Sequence, residues 1–242
     1  MKNQYFGDRN DFFKYDLVLT LMERLEGLER FTFVPMLTGD DKSRDGSLTY
    51  YDGKRRKDLE DFLKGCVEGS ARDIRKLRSF MSNYGQIKYC PYRDGKHFTD
   101  AERERYFDGI DPSTLQRAVI LIDPDNGLEI GSMRSGTGHK YLRYEELGLL
   151  YGRMGPNSLI LVYQHLPPVE RTAYLARIGQ KVRGRTGAKE VLCLSDNRIA
   201  FFLVAKGDGL LERAWEVLEE YAGNNRYRPF RYGGNPQPNV CM

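Results

Sequence analysis

Residues 119–129 read V-I-L-I-D-P-D-N-G-L-E: four apolar residues that stop at two acids, an asparagine and a glycine. A short apolar run bounded by turn-forming residues is the pattern of a fully buried strand. Asp123 and Asp125 then fall at the carboxyl end of that strand and on the turn after it. Open α/β sheets place their ligand crevices outside the carboxyl ends of the strands. The plainer alternative is that Asp and Asn simply build a turn.

The chain around this run has 242 residues, enough for one domain with its own core. We read a single α/β domain over 1–222, with a helical insertion at about 54–110 and an irregular tail at 223–242. Cys66, Cys90, Cys193 and Cys241 are scattered, and His97, His139 and His165 are the only histidines. Their spacing fits no zinc motif. Unpaired cysteines suit a reducing, cytoplasmic setting. No apolar run approaches the ~18 residues of a membrane span, and the polar start Met1-Lys2-Asn3-Gln4-Tyr5 does not resemble a signal peptide. A net charge of +4 permits a nucleic-acid partner without demanding one.

Leu17, Leu21, Leu25 and Leu28 share one face of a helix predicted over 11–28. A strand at 31–37 leads into a polar loop, 38–45. The insertion carries predicted helices at 57–67 and 71–83, and Thr99 with Glu102 forms a capping-box pattern before a third. It also holds the clustered charge Lys54-Arg55-Arg56-Lys57, then Arg72, Arg75, Lys76 and Arg78. Strands at 118–123 and 158–164 then alternate with helices at 141–153 and 168–181. Strands at 189–194 and 199–205 form a hairpin around Ser195-Asp196-Asn197-Arg198, and a helix at 209–222 follows. This rhythm predicts a doubly wound, mostly parallel sheet with a C-terminal antiparallel hairpin.

Three predicted strands end in polar groups on one edge of that sheet. The first ends at Thr38, Gly39, Asp40 and Asp41. The second ends at Asp123-Pro124-Asp125-Asn126, with Glu129 close behind and Lys140 beyond a glycine-rich loop. The third ends at Tyr163-Gln164-His165. A further polar cluster, Asp8 to Lys14, opens the first helix, where Asp8 or Asn10 serves as a cap. The loop 131–138 lacks the G-x-x-x-x-G-K-[ST] phosphate pattern, but Arg134 and Lys140 could reach an anion from it.

The run Gly7-Asp8-Arg9-Asn10-Asp11-Phe12-Phe13-Lys14-Tyr15 resembles the "G-N-x-x-D-x-x-K-H" segment of the large-subunit ribosomal RNA adenine N6-methyltransferases. Asp123-Pro124-Asp125-Asn126 sits where that family carries "D-P-P-Y", and Tyr163-Gln164-His165-Leu166-Pro167 resembles its "W-Y-P" strand. The resemblance implies a class I S-adenosylmethionine fold that holds the exocyclic amine of a flipped-out adenine. Asp123 would accept a hydrogen bond from that amine. Asn126 stands in place of the stacking aromatic, and Asp125 in place of a proline. Lys14 matches the family's lysine near the cofactor. Residues 33–40 contain no G-x-G, so cofactor contacts would fall to Thr38, Asp40 and Asp41, together with Asp11 and Lys14.

The first function expected is therefore a methyltransferase acting on an amine, that of a nucleic-acid base, with His165 and Lys140 beside the acids. Phosphates would be held by Lys54 to Lys57 and Arg72 to Arg78. The tail, with Arg226, Tyr227, Arg228, Phe230, Arg231 and Tyr232 alternating cation and ring, suits single-stranded nucleic acid. The second is a phosphohydrolase or nuclease using Mg²⁺ or Mn²⁺ on Asp123, Asp125 and Glu129, with Asp40 or Asp41. The apolar run before D-x-D also resembles the first motif of haloacid-dehalogenase-type phosphatases. The third is an inactive binding module on the same fold.

Overall fold

In the computed structural model, residues 1–41, 48–49, 51, 56–131, 133, 135–207, 209–223 and 227–233 are described. Among them the chain runs α1 (Arg9–Arg24), β1 (Arg30–Val34), α2 (Lys57–Glu68), α3 (Leu77–Met81), β2 (Lys88–Pro91), α4 (Arg103–Asp108) and β3 (Ala118–Ile122). It continues with β4 (Gly127–Leu128), β5 (Tyr141–Leu142), α5 (Tyr144–Arg153), β6 (Ser158–His165), α6 (Arg171–Thr186), β7 (Glu190–Ser195), β8 (Ile199–Lys206), α7 (Leu210–Gly223) and β9 (Arg228–Gly233).

Seven strands form one sheet in the order β2-β1-β3-β6-β8-β7-β9. The pairs β2–β1, β1–β3 and β3–β6 are parallel. β8 enters antiparallel between β6 and β7, and β9 is antiparallel to β7. Five of the seven strands thus point the same way. The fold is α/β with a mostly parallel sheet and a C-terminal antiparallel hairpin, as expected.

Strand alternation divides the core between the two faces of the sheet. Val119 and Leu121 of β3 pack on one side with α1, α2 and α7. Ala118, Ile120 and Ile122 pack on the other with α4, α5 and α6. All five are fully buried, which is why this strand reads as unbroken apolar sequence. Side chains of α1 hold it to the sheet: the Phe13 ring meets Phe201 of β8 edge-on, with centroids 5.0 Å apart.

Several elements depart from expectation. α1 stops at Arg24, and Leu25 to Leu28 form a turn through Gly27 at φ +84°. Between 71 and 83 only α3 is α-helical; Asp73 accepts a hydrogen bond from the Arg75 amide and starts a 3-10 turn instead. Thr99 makes no side-chain cap, and a 3-10 turn precedes α4. The insertion is not purely helical. It supplies β2, four residues long and ending in proline, as is tolerated at a sheet edge.

Within the expected tail the described residues 228–233 are not irregular, since β9 pairs along the full length of β7. Its alternation of cation and ring is a strand period. Phe230 and Tyr232 pack against the core on one face, and Arg231 turns to the other, where it pairs with Glu212 of α7. Tyr227 stacks on Phe13 at 3.7 Å between centroids. The rings expected to stack on bases are used for packing.

Candidate functional site

The turn after β3 sets the site. Gly127 has φ +116°, and a Cβ there would lie 2.5 Å from the Gln164 Oε1 atom. That oxygen accepts from the Leu128 amide, so only glycine lets the turn close onto β6. Asn126 is pinned on both sides: its amide donates to the Lys140 carbonyl, and its carbonyl accepts from the His165 amide. Asp123 is thereby held at the strand end with no solvent exposure.

α1 supplies the other half. Its cap, Asp8, accepts from the Asp11 amide, and Asp11 and Lys14 lie one turn apart facing the sheet. Lys14 Nζ donates to Asp11 Oδ1 at 3.0 Å and to Asp123 Oδ2 at 2.8 Å, and sits 4.5 Å from the centre of the Tyr163 ring. The second oxygen of Asp123, Oδ1, is buried and has no hydrogen-bond partner among the described residues.

Three acids surround this one ammonium. Burial and the neighbouring Asp11 push the Asp8 carboxyl up to about 7. Burial also raises Asp11, against the pull of Lys14. Burial alone would lower Lys14, but Asp11 and Asp123 hold it well above the ordinary lysine value. Lys14 is therefore held in its charged form by the acids around it.

Asp125 belongs to a second group. Its side chain is buried, with Lys2 at 3.2 Å, the Met1 amine at 3.7 Å and Lys140 at 3.8 Å. Burial would raise its pKa, but these cations outweigh it and hold the carboxyl below the usual range. Lys2 also binds Asp41 at 2.7 Å.

Both groups line one cleft of about 770 Å³ at the carboxyl ends of β3 and β6. It gathers Asp11, Lys14, Asp41, Asp123, Asp125, Asn126, Lys140 and His165 from the expected set. Thr38, Asp40 and Glu129 do not line it. Thr38 is buried and bonded through its amide and hydroxyl to the Met1 carbonyl, and Asp40 accepts from the Gln4 amide. Glu129 accepts from the Tyr144 amide at the start of α5. It therefore does not join Asp123 and Asp125 as a metal ligand. No cluster of three or more acids, histidines or cysteines with metal-binding geometry occurs among the described residues.

Sequence reasoning missed Lys2, because nothing local marks a lysine near the start of a chain for burial. It also passed over Asn197 and Arg198, which reach the cleft from the β7–β8 turn. The expected phosphate-binding cations are largely paired at home. Arg56 binds Asp16 and Glu23, Lys57 binds Asp61, Arg75 binds Asp73 and Arg78 binds Asp94. Arg72 donates to the Gln4 carbonyl. Lys54, Arg55, Arg134 and Arg226 lie outside the described residues.

The crevice between β1 and β3 is the point where the strand order reverses, since the chain passes from β1 to β2 on one side and to β3 on the other. Here Met1 is 3 % exposed, and its amine donates to the Met36 and Asp123 carbonyls. Of the expected cofactor contacts, Thr38, Asp40 and Asp41 are thus engaged by Met1, Lys2 and Gln4, and the sequence after β1 has no G-x-G.

No protein-family model matches this chain, and comparison with curated proteins returns no similar one. No helix among the described residues is long and apolar enough to cross a membrane.

Proposed function

We propose that the cleft recognises a planar ring bearing an amine, adenine-like in its chemistry, on a doubly wound fold of the class I methyltransferase kind. The observation that carries this reading is the divided state of Asp123. Lys14 fixes one carboxylate oxygen, while the other is buried without a partner among the described residues. A buried acceptor left unpaired costs about 1–3 kcal/mol, so a ligand N–H that reaches it regains that energy. Such a bond also leaves the nitrogen lone pair free, as transfer to that nitrogen requires. The Asp123 position at the end of β3, the neighbouring strand end of β6 and the antiparallel β8 between β6 and β7 are compatible with the resemblance in the sequence.

The filled crevice between β1 and β3 favours a second reading, in which the same cleft binds its ligand without turning it over. A metal-dependent hydrolase fits less well: Asp125 is held by three cations and Glu129 caps a helix.

Calorimetry with adenosine and with its N6,N6-dimethyl derivative tests the proposal. Adenosine is expected to bind, and the derivative, which has no N–H to offer, to bind at least about tenfold more weakly, as loss of a hydrogen bond to a charged acceptor implies. Equal binding of both would sink the amine reading. Binding without consumption of any methyl donor would favour the second one.

A further inference from the structure

α6 (R-T-A-Y-L-A-R-I-G-Q-K-V-R-G-R-T) contains five cations and no acid. α7, on the opposite face of the sheet, carries Glu212, Glu216, Glu219 and Glu220 against one arginine. The two helices thus carry opposite net charge on opposite faces of the sheet.

The cations of α6 are arranged as well as numerous. Arg177, Lys181 and Arg185 recur every fourth residue, so they form one exposed stripe with about 6 Å of helix axis between them. Arg177 rests over the Tyr174 ring and Lys181 over Tyr144, each 5.5 Å from the centroid, and no acid pairs with either among the described residues. Arg185 makes an exposed pair with Glu145, worth at most ~1 kcal/mol and readily exchanged. The helix dipole accounts for basic residues in the last turn, Arg183 and Arg185, but its influence does not extend to Arg177.

The start of α6 lies beside the cleft. At the first turn of α6, Arg171 donates to the Asp196 carbonyl, and it pairs with Asn197, which also lines the cleft. We propose that α6 is a docking surface for a single nucleic-acid strand, with phosphates along Arg177, Lys181 and Arg185. The stripe is one side chain wide, the width of one phosphate chain. An anionic membrane is the poorer match, because a helix lying in a membrane interface needs exposed large apolar residues beside its cations. The exposed positions of α6 are Thr172, Ala173, Arg177, Gln180, Lys181, Arg183, Gly184 and Arg185. This surface does not depend on the amine reading of the cleft.

Fluorescence anisotropy with a labelled mixed-sequence RNA strand about twenty nucleotides long tests it. The wild-type chain is expected to bind with strong salt dependence. Arg177→Glu with Lys181→Glu should weaken binding at least tenfold and lower the salt slope by about 1.4, roughly 0.7 per lost phosphate contact. The neutral pair Arg177→Gln with Lys181→Gln should give a smaller loss in the same direction. Lys57→Glu with Arg75→Glu, on exposed cations outside α6, should leave affinity within twofold. Circular dichroism checks that each variant is folded. The proposal is overturned if the wild-type chain does not bind the strand or if the Lys57/Arg75 pair matters more. It is equally overturned if phosphatidylserine vesicles or an acidic peptide compete the strand away. Because Asp123 is untouched, failure here leaves the adenosine titration to decide the cleft separately.

Discussion

Lys14 Nζ and Asp123 Oδ2 lie 2.8 Å apart, both side chains are buried, and 109 residues separate them in the chain. The contact ties the first helix to the central strand. It also fixes which oxygen of Asp123 remains for a ligand. Removing one partner of a buried pair leaves an uncompensated charge, and that governs the first prediction.

Lys14→Met should cost about 3–5 kcal/mol of stability, read as a drop in the urea midpoint without a change in slope. Adding Asp123→Asn to that variant should recover part of the loss, because the orphaned charge becomes a neutral amide. If the double variant is no more stable than the single one, the two residues are not coupled.

Asp8 dictates a pH effect. Its folded carboxyl stands at about 7 against an ordinary 3.8, so the folded state binds the proton more tightly than the unfolded one. The stabilisation is complete below the unfolded value and is lost as pH rises through the folded one. Between those limits stability should fall with rising pH, by at most about 1.4 kcal/mol per unit from this group. Asp8→Asn keeps the helix cap and removes the titration. Denaturation series across this range should show a flatter profile for the variant; an unchanged profile would assign the effect elsewhere.

Gly179 lies within α6, and a Cβ there would stand 2.3 Å from the Tyr232 ring of β9. In an open helix Gly→Ala stabilises by about 0.5–1 kcal/mol. Here Gly179→Ala should destabilise, by roughly 1–3 kcal/mol, as overpacking does. In a Tyr232→Ala background the same change should turn neutral or favourable. The sign reversal, measured by thermal denaturation, checks that β9 is docked as described.

Mg²⁺ and Mn²⁺ should leave the melting temperature unchanged at millimolar levels. Asp125 is engaged by Lys2 and Lys140, and Glu129 is engaged by the Tyr144 amide. A shift of several degrees that Asp123→Asn abolishes would restore the metal-dependent reading.

The strands β3, β6, β7 and β8 were legible because burial on both faces leaves unbroken apolar runs, and the long helices because their leucines keep a helical period. β2 and β9 were not. β2 is too short to show a period, and in β9 the alternation of ring and cation is shared by two structures, a strand and a base-stacking segment. Sequence alone cannot choose between them, since the choice depends on whether β7 offers an open edge.

The site divides in the same way. That acids stand at the end of a buried strand follows from the sequence, because an apolar run ending in D-P-D-N-G has few other forms. Which acids work together was decided by tertiary structure. The helix α1 delivers Lys14 to Asp123, residues 1–4 close over Thr38 and Asp40, and Glu129 turns away to cap α5. Each of these depends on charges brought together from distant parts of the chain. The energy of such pairs is set by burial and distance in three dimensions, which local pattern does not encode.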